Sequence, residues 1–275
     1  MTSLFSAADD RFREQYGPWA VIAGASEGTG AEYARKLAAR GLNLFLIARR
    51  PEPLEALADS LHREFAIDVR TLSLDLSQPA AAFRILAATV ELEVGLYVSN
   101  AGSDTASSLF LDAPIADWLA LIQRNVTTTV EACYGFAKPM RERGRGGMIL
   151  MSSGTALGGG KRLAVYSASK AFDMNFAESL WAELGEFGVN VLSVVAPGMS
   201  TPQIQRMLER KGLQTQGLFD PAQVVETALN RLEDGPTVLF PFGPEADTAA
   251  ALSVARRERI LEVTRLSAAM FFGDK

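Results

Sequence analysis

Three groups of residues in this chain are of types and spacings that could do chemistry. The first is Gly24-Ala25-Ser26-Glu27-Gly28-Thr29-Gly30, which follows the apolar run Trp19–Ala23 and opens a helical pattern over Thr29–Arg40. A glycine-rich turn between strand and helix lets backbone amides approach a pyrophosphate, and the helix N-terminus adds positive potential. Its spacing, G-x-x-x-G-x-G, differs from the G-x-G-x-x-G of the general dinucleotide fold. The second group is Tyr166 and Lys170, four residues apart at the start of a helix, so a phenol and an ammonium share one face. The pair follows the run Met148–Ser152, with Ser152 and Ser153 at its end and Gly158-Gly159-Gly160 in the loop beyond. Doubly wound folds place their ligands at such strand ends.

The third group is Arg49-Arg50, directly after the run Asn43–Ala48. An NAD site has Asp or Glu at this point to bond the ribose 2′-hydroxyl. Here a small neutral residue removes that repulsion, and arginine offers a bidentate partner for a 2′-phosphate. NADP(H) is therefore expected in preference to NAD(H). Glu27 works against this, because its charge would disfavour a nearby 2′-phosphate, and Arg49 and Arg50 could also be an ordinary solvated pair.

The elements that must position these groups follow from hydrophobic patterning. Apolar runs at Trp19–Ala23, Asn43–Ala48, Val69–Leu74, Gly95–Ser99, Met148–Ser152, Asn190–Val195 and Thr237–Phe240 are mostly continuous, as expected of strands covered on both faces. Helical patterns alternate with them at Thr29–Arg40, Glu52–Glu64, Asp117–Arg143, Val165–Phe187 and Asp220–Asp234, with Pro139 expected to kink or shorten the third. The series predicts an α/β fold, a single doubly wound (Rossmann) parallel sheet with helices on both faces. We expect one domain over 1–275, with an N-terminal extension at 1–17, a substrate lid at 199–219 and a C-terminal helical segment at 246–275. The helix Val165–Phe187 has two apolar stripes, one of Phe172, Phe176 and Leu180, the other of Met174, Ala177, Trp181 and Leu184. A helix on a sheet needs only one. The second stripe is expected to join subunits, giving a homodimer or homotetramer.

Composition removes other chemistry. The chain has 275 residues, 48% of them hydrophobic, and a net charge of −5, which provides for a substantial core and argues against nucleic acid or an anionic membrane as partner. One Cys (Cys133) and one His (His62) exclude an intramolecular disulfide and the common multi-Cys and multi-His metal sites, so no metal is expected. Cys133 sits at a helical core position, and His62 in a charged, solvated stretch. The segment Met1 to Gly17 lacks an apolar stretch of the signal-peptide kind, and the longest apolar run is too short to span a bilayer, so a cytoplasmic location is expected.

Taken in order, Gly24-x-x-x-Gly28-x-Gly30, Ser99-Asn100-Ala101-Gly102, Asn125, Ser153, Tyr166-x-x-x-Lys170 and Pro197-Gly198 resemble the motif series of short-chain dehydrogenases/reductases, from about Gly17 to Phe242. The resemblance implies that Tyr166 is the general acid or base at a carbonyl or alcohol oxygen. A free tyrosine ionises near pH 10, and an ammonium beside it, with the oxidised nicotinamide, favours phenolate. It also implies that Ser153 orients the substrate oxygen, Lys170 holds the nicotinamide ribose, and Asn125 positions a water in the proton relay. On the cofactor side it implies Gly24, Ser26, Glu27, Gly28, Thr29, Gly30, Arg49, Arg50, Asp75 and Leu76 near the adenosine half. Asn100, Ala101, Gly102, Pro197, Gly198 and Thr201 would serve the rest, with Thr201 on the nicotinamide amide. Ser99 stands for the first Asn of the usual Asn-Asn-Ala-Gly, Gly95 for an Asp, and the run from Pro197 to Thr201 is about one residue short. The resemblance thus implies an NADP-dependent oxidoreductase interconverting a secondary alcohol and a ketone.

Substrate choice falls to the segments Ser103–Phe110, Gly154–Ala164 and Met199–Phe219. Leu157, Leu163 and Met199, with Ile204, Met207 and Leu208 at helical spacing, suit a bulky apolar small molecule. The stretch Phe12–Trp19, the loop with Glu27, and Asp75-Leu76-Ser77-Gln78-Pro79 resemble bacterial NADP-dependent hydroxysteroid dehydrogenases, which points to steroid-like substrates. Two alternatives stand beside this. One is an acyl-thioester ketoreductase, with Lys161-Arg162, Arg206, Arg210 and Lys211 receiving an acidic carrier. The other is a non-catalytic NADP-binding sensor or scaffold.

Overall fold

The computed structural model describes residues 6–103, 108–212, 217–240 and 248–271, with 211, 248–252 and 266–271 described by their backbone alone. Seven strands form one parallel sheet: β1 Trp19–Ala23, β2 Asn43–Ala48, β3 Val69–Ser73, β4 Val94–Ser99, β5 Gly146–Ser153, β6 Val189–Ala196 and β7 Thr237–Leu239. Their order is β3-β2-β1-β4-β5-β6-β7. The direction of winding reverses between β1 and β4, so the crevice at their C-terminal ends is the switch point where open α/β sheets take ligands.

Neighbouring residues of the inner strands serve opposite cores, which is why their apolar runs are unbroken, whereas β3 at the sheet edge is largely exposed. Ile22, Leu46, Val98, Ile149 and Leu192 pack with α2 (Gly28–Ala39), α3 (Pro51–Glu64) and α9 (Pro221–Asn230). Val21, Ile47, Tyr97, Leu150 and Val191 pack on the other face with α4 (Ala81–Ala88), α6 (Thr128–Arg143) and α7 (Ala164–Leu184). The doubly wound α/β fold is as expected, and the seven strands lie within two residues of their expected limits.

Several elements differ from expectation. The N-terminal extension contains a helix, α1 (Ala7–Tyr16), opened by a reciprocal Ser6–Asp9 capping box. Gln15 Nε2 donates to Gly188 O (2.8 Å) and Tyr16 Oη to Asn190 Oδ1 (2.9 Å). A Cβ at Gly95 would lie 2.3 Å from the Tyr16 carbonyl oxygen, so the residue that departs from the family pattern makes room for α1. The helix expected over Asp117–Arg143 is α5 (Ile115–Ile122), a π-helical turn (Gln123–Thr127) and α6, which runs through Pro139 without ending there. The irregularity falls at Asn125 instead, and the wide turn carries both Arg124 and Asn125 into the interior.

The second stripe of α7 is not a free surface. Met174 packs with Val195 and Leu239, Ala177 and Leu184 join the core under β4–β6, and Trp181 lies against the same core. The interface expected through this stripe is therefore corrected: these residues cover the chain's own sheet, because α7 lies deep between sheet and flanking helices. Phe172 and Phe176 stack at 5.4 Å on the other stripe, and Phe176 and Leu180 also pack on the core.

The expected lid contains α8 (Pro202–Lys211), whose Ile204, Met207 and Leu208 are half-buried. Residues 213–216 of the lid and 104–107 of the other substrate segment lie outside the described residues. The C-terminal helix α10 (Thr248–Phe271) is held to α7 by Arg256, whose Nε and Nη2 donate to Glu178 at 2.6 and 2.8 Å. Among the described residues no helix is long and apolar enough to cross a membrane, and no cluster of His, Cys, Asp and Glu could hold a metal.

Candidate active site

The glycine turn is built for close backbone approach. Gly24 has φ +85°, and a Cβ there would meet Ala101 Cα at 2.9 Å. A Cβ on Gly30 would come within 2.0 Å of Gly24 O, which accepts from Asn100 Nδ2 at 2.8 Å. Asn100 and Ala101 further tie the β4 end to β1 by donating their backbone N–H groups to Ala23 O. Gly28 has φ +57° and passes close to Thr201. The N-cap of α2, Glu27, makes no side-chain hydrogen bond to the first amides of the helix. Such a turn fits a pyrophosphate, and Ser26, Glu27 and Gly28 also line an open cleft of about 590 Å³ with Ser200 and Pro202.

Glu27 does not stand as a lone charge. Arg206 Nη2, from α8, donates to both its oxygens at 2.8 and 3.0 Å, and Arg50 Nη2 lies 3.0 Å from Oε2. Burial opposes the Glu27 charge, but these two guanidiniums outweigh it and hold the carboxyl below its usual range. Arg206, read from sequence as part of a basic surface, thus links the lid helix to the glycine turn. Arg50 keeps an exposed side chain just beyond β2, at the N-cap position of α3 but with no side-chain cap bond, while Ser73 Oγ donates to Arg49 O. Asp75 accepts from Ser77 N–H and Oγ–H; burial raises its carboxyl, yet these bonds hold it low. Leu76 is buried, its carbonyl accepting from Thr128 Oγ1 at 2.9 Å.

The Tyr166–Lys170 helix is joined to the end of β5 from both sides. Ser152 Oγ donates to Lys170 O (2.7 Å), and Lys170 Nζ to Met151 O (2.8 Å). Asn125 Nδ2 donates to Ser169 Oγ (2.9 Å), which donates to Tyr166 O (2.8 Å). The π-helical turn is therefore coupled to the backbone of Tyr166. Arg124, missed in the sequence, donates from Nε to Asn125 Oδ1 (3.2 Å) and from Nη2 to Ser103 O (2.8 Å). Ser153 Oγ accepts from Thr155 N–H (3.3 Å) and from Thr155 Oγ1 (3.1 Å), which leaves its own proton available. Gly102 adjoins Lys170: a Cβ there would lie 2.5 Å from Nζ.

Beyond β6, Gly198 O accepts from Phe219 N–H, and Ser200 N–H donates to Phe219 O. Thr29 Oγ1 donates to Met199 Sδ (3.6 Å), and Thr201 Oγ1 accepts from Ile204 N–H as N-cap of α8. Pro197 to Thr201 thus lies against the glycine turn. Cys133 is buried with its thiol pushed up by that burial, and His62 is exposed, as expected of residues outside the chemistry.

A glycine turn at the sheet's switch point, with a tyrosine–lysine helix fixed to the neighbouring strand end, defines a dinucleotide-binding oxidoreductase of the Rossmann class. The model of the family described as short chain dehydrogenase matches residues 18–212. The chain is 31% identical over 192 residues to a 7beta-hydroxysteroid dehydrogenase of Collinsella aerofaciens, covering 70% of this chain and 73% of the relative. It is 30% identical over 228 residues to a very-long-chain 3-oxoacyl-CoA reductase-like protein of Arabidopsis thaliana, covering 82% and 72%. A solved short-chain dehydrogenase of Sphingobium yanoikuyae in complex with NADPH superposes with a TM-score of 0.77 at 27% identity, over 89% of this chain and 95% of that one. The chain belongs to the short-chain dehydrogenase family. It is accordingly an oxidoreductase whose cofactor is a nicotinamide dinucleotide and whose substrates are small molecules.

Proposed function

We propose that this enzyme uses NADP(H) to interconvert a secondary alcohol and a ketone on a bulky, apolar, steroid-like molecule. The observation that carries the reading is the joining of Tyr166 and Lys170 to the Ser153 strand end and to Asn125 by the bonds above. In reduction the Tyr166 phenol gives its proton to the carbonyl oxygen, and in oxidation it takes that proton back. Ser153, whose oxygen already accepts two bonds, donates its proton to the same substrate oxygen and fixes its direction. Asn125 holds the relay water, and Lys170 binds the ribose. The nicotinamide supplies or accepts the hydride when bound.

The turn Gly24–Gly30 would hold the pyrophosphate, and Asp75, Leu76, Asn100, Ala101 and Gly102 would flank adenosine and ribose. Thr201, with Pro197 and Gly198, would face the carboxamide. NADP is preferred because the Glu27 charge is offset by Arg206 and Arg50, so the pair Arg49-Arg50 can receive a 2′-phosphate. The steroid-like class is supported by the half-buried Leu163, Met199, Ile204 and Met207 around the strand ends, and by the Collinsella relative. A second reading, reduction of a 3-oxoacyl thioester, is favoured by the Arabidopsis relative and by exposed Lys161 and Arg162.

We further propose a homodimer or homotetramer that covers Ile115 and Leu119, 65% and 56% exposed on α5, and Tyr134 of α6. Light scattering of wild type and Leu119→Arg tests this, a lower mass being expected for the variant.

The test of function is nicotinamide absorbance with NADP(H) and NAD(H) across steroids, small ketones and acyl thioesters. We expect NADP-linked turnover of steroids, lost in Tyr166→Phe while NADPH still binds. Wild-type-like turnover by that variant overturns the mechanism, and turnover confined to thioesters replaces the substrate class.

A further inference from the structure

One charged group beside this site is unexplained by the family pattern or by packing. Asp173, one turn beyond Lys170 on α7, is 4% exposed, and Lys170 is 3% exposed. Lys170 Nζ donates to Asp173 Oδ2 at 3.0 Å and to Met151 O at 2.8 Å. The other carboxylate oxygen, Oδ1, is buried with no hydrogen-bond partner. A carboxylate left half-satisfied in an apolar core costs stability, and an apolar side chain would serve packing at least as well. Asp173 therefore calls for a role outside the fold, and the group it touches is the lysine beside Tyr166.

We propose that Asp173 is a positioning residue: it holds the Lys170 ammonium against Met151 and offsets part of the positive charge that Lys170 presents to Tyr166. Two of the three ammonium protons are committed to Asp173 and Met151, which leaves one directed elsewhere. Gly102, with no side chain, keeps the space beside Nζ open. Burial holds the Asp173 carboxyl above the usual carboxylate range, and the Lys170 ammonium, which opposes that shift, is the partner that favours its charge. The other titratable groups facing Asp173 are Tyr97 of β4 and Cys133 of α6, and burial pushes both upward, keeping them neutral. Arg124 is linked to α7 through Asn125 and Ser169.

The inference rests on the oxidoreductase reading of Tyr166 and Lys170, and the sign of its effect is definite. Asp173 and Tyr166 are seven residues apart on one helix, about 10 Å along its axis. Removing the carboxylate charge leaves the Lys170 charge uncompensated and favours phenolate at lower pH. This moves the rising limb of kcat/KM for alcohol oxidation toward acid. The experiment compares wild type, Asp173→Asn and Asp173→Glu by that profile. It also follows phenolate absorbance in the NADP⁺ complex, taken as the difference from Tyr166→Phe.

Asp173→Asn is expected to shift both signals toward acid and to raise the KM for cofactor as Lys170 loosens, while Asp173→Glu stays near wild type. Unchanged limb and phenolate signal in folded Asp173→Asn overturn the proposal. Asp173→Ser is read in the same way should the Asn variant not fold. If wild type turns over nothing, the oxidoreductase reading falls, and the phenolate titration still decides whether Asp173 acts on Tyr166.

Discussion

Replacing Glu27 by Gln separates two uses of the arginines around the glycine turn. In the structure the Glu27 carboxylate binds Arg206 from the lid helix and Arg50 from the end of β2, with side-chain exposures of 30%, 47% and 52% in that order. Pairs this exposed contribute about 0–1 kcal/mol each, so the variant should fold with little loss of stability. A 2′-phosphate approaching Arg50 must draw it from Glu27, and the same 0–1 kcal/mol is the cost. Glu27→Gln is therefore expected to lower the KM for NADPH by up to roughly fivefold and to leave NADH unchanged.

Arg50→Gln has the opposite sign, because a charge-assisted bond of about 1.5–3 kcal/mol is lost, equivalent to roughly 10- to 150-fold in KM for NADPH. Initial rates with both cofactors, supported by fluorescence titration of NADPH and NADH, give the four ratios needed. The lid gives an independent reading: loss of the Arg206 bonds should raise the KM for substrate in Glu27→Gln but not in Arg50→Gln. If Glu27→Gln weakens NADPH, or moves NADH equally, Glu27 belongs to the cofactor contact itself and the reasoning fails.

Other outcomes follow from single contacts. Gly30→Ala places a methyl 2.0 Å from Gly24 O, so the turn must move; a loss of about 1–3 kcal/mol and abolished cofactor binding are expected in a thermal shift assay with and without NADPH. Arg256→Ala leaves buried Glu178 with only its bond from Thr237 Oγ1, and about 1–3 kcal/mol should be lost, lowering Tm by roughly 3–10 °C. An unchanged Tm would mean that α10 is not anchored there. Glu226 joins α9 to Lys36 of α2 and to Arg40 at its C-cap, and the Lys36 hydrogen bond, followed by Arg40, holds its carboxyl below the usual 4.5. With the folded group titrating lower than the unfolded one, the pair stabilises fully above that value and its contribution fades as pH falls through the folded one. The Tm gap between wild type and Glu226→Gln, under about 1 kcal/mol for so exposed a group, should close in acid.

Strands were legible because parallel strands buried on both faces show as unbroken apolar runs, and glycines mark their ends. The polar helix α1 was not, since Tyr16 is its only buried residue and its signal, the Ser6–Asp9 box, is two residues in a charged stretch. The π-helical turn leaves no periodic mark either, because Gln123–Thr127 differs from its flanking helices only in hydrogen-bond register. The site divides on similar lines. Gly24, Asn125, Ser153, Tyr166 and Lys170 are recognisable by their order along the chain. Arg206 acquires meaning only when folding brings it to Glu27, 179 positions away. Asp173 did carry a signal: an acidic residue between Phe172 and Met174, three after a lysine.

The polar residues inside α7 explain why this helix can serve two cores and a reaction at once. Ser169, Lys170, Asp173 and Glu178 are all buried, and a helix burying four such groups for packing alone would be at a disadvantage. Three of them instead fix α7 to something else. Ser169 binds Asn125 in the π-helical turn, Lys170 binds the end of β5, and Glu178 takes Thr237 of β7 and Arg256 of α10. These ties run along one helix, so the phenol of Tyr166 is carried by a rigid element anchored at both ends, as a proton donor must be to stay within reach of one substrate atom. Asp173 is the exception, since its partner is on α7 itself and it anchors no other element. That is the physical reason to look for its effect in the pH profile, where charge is read, before looking in the melting temperature.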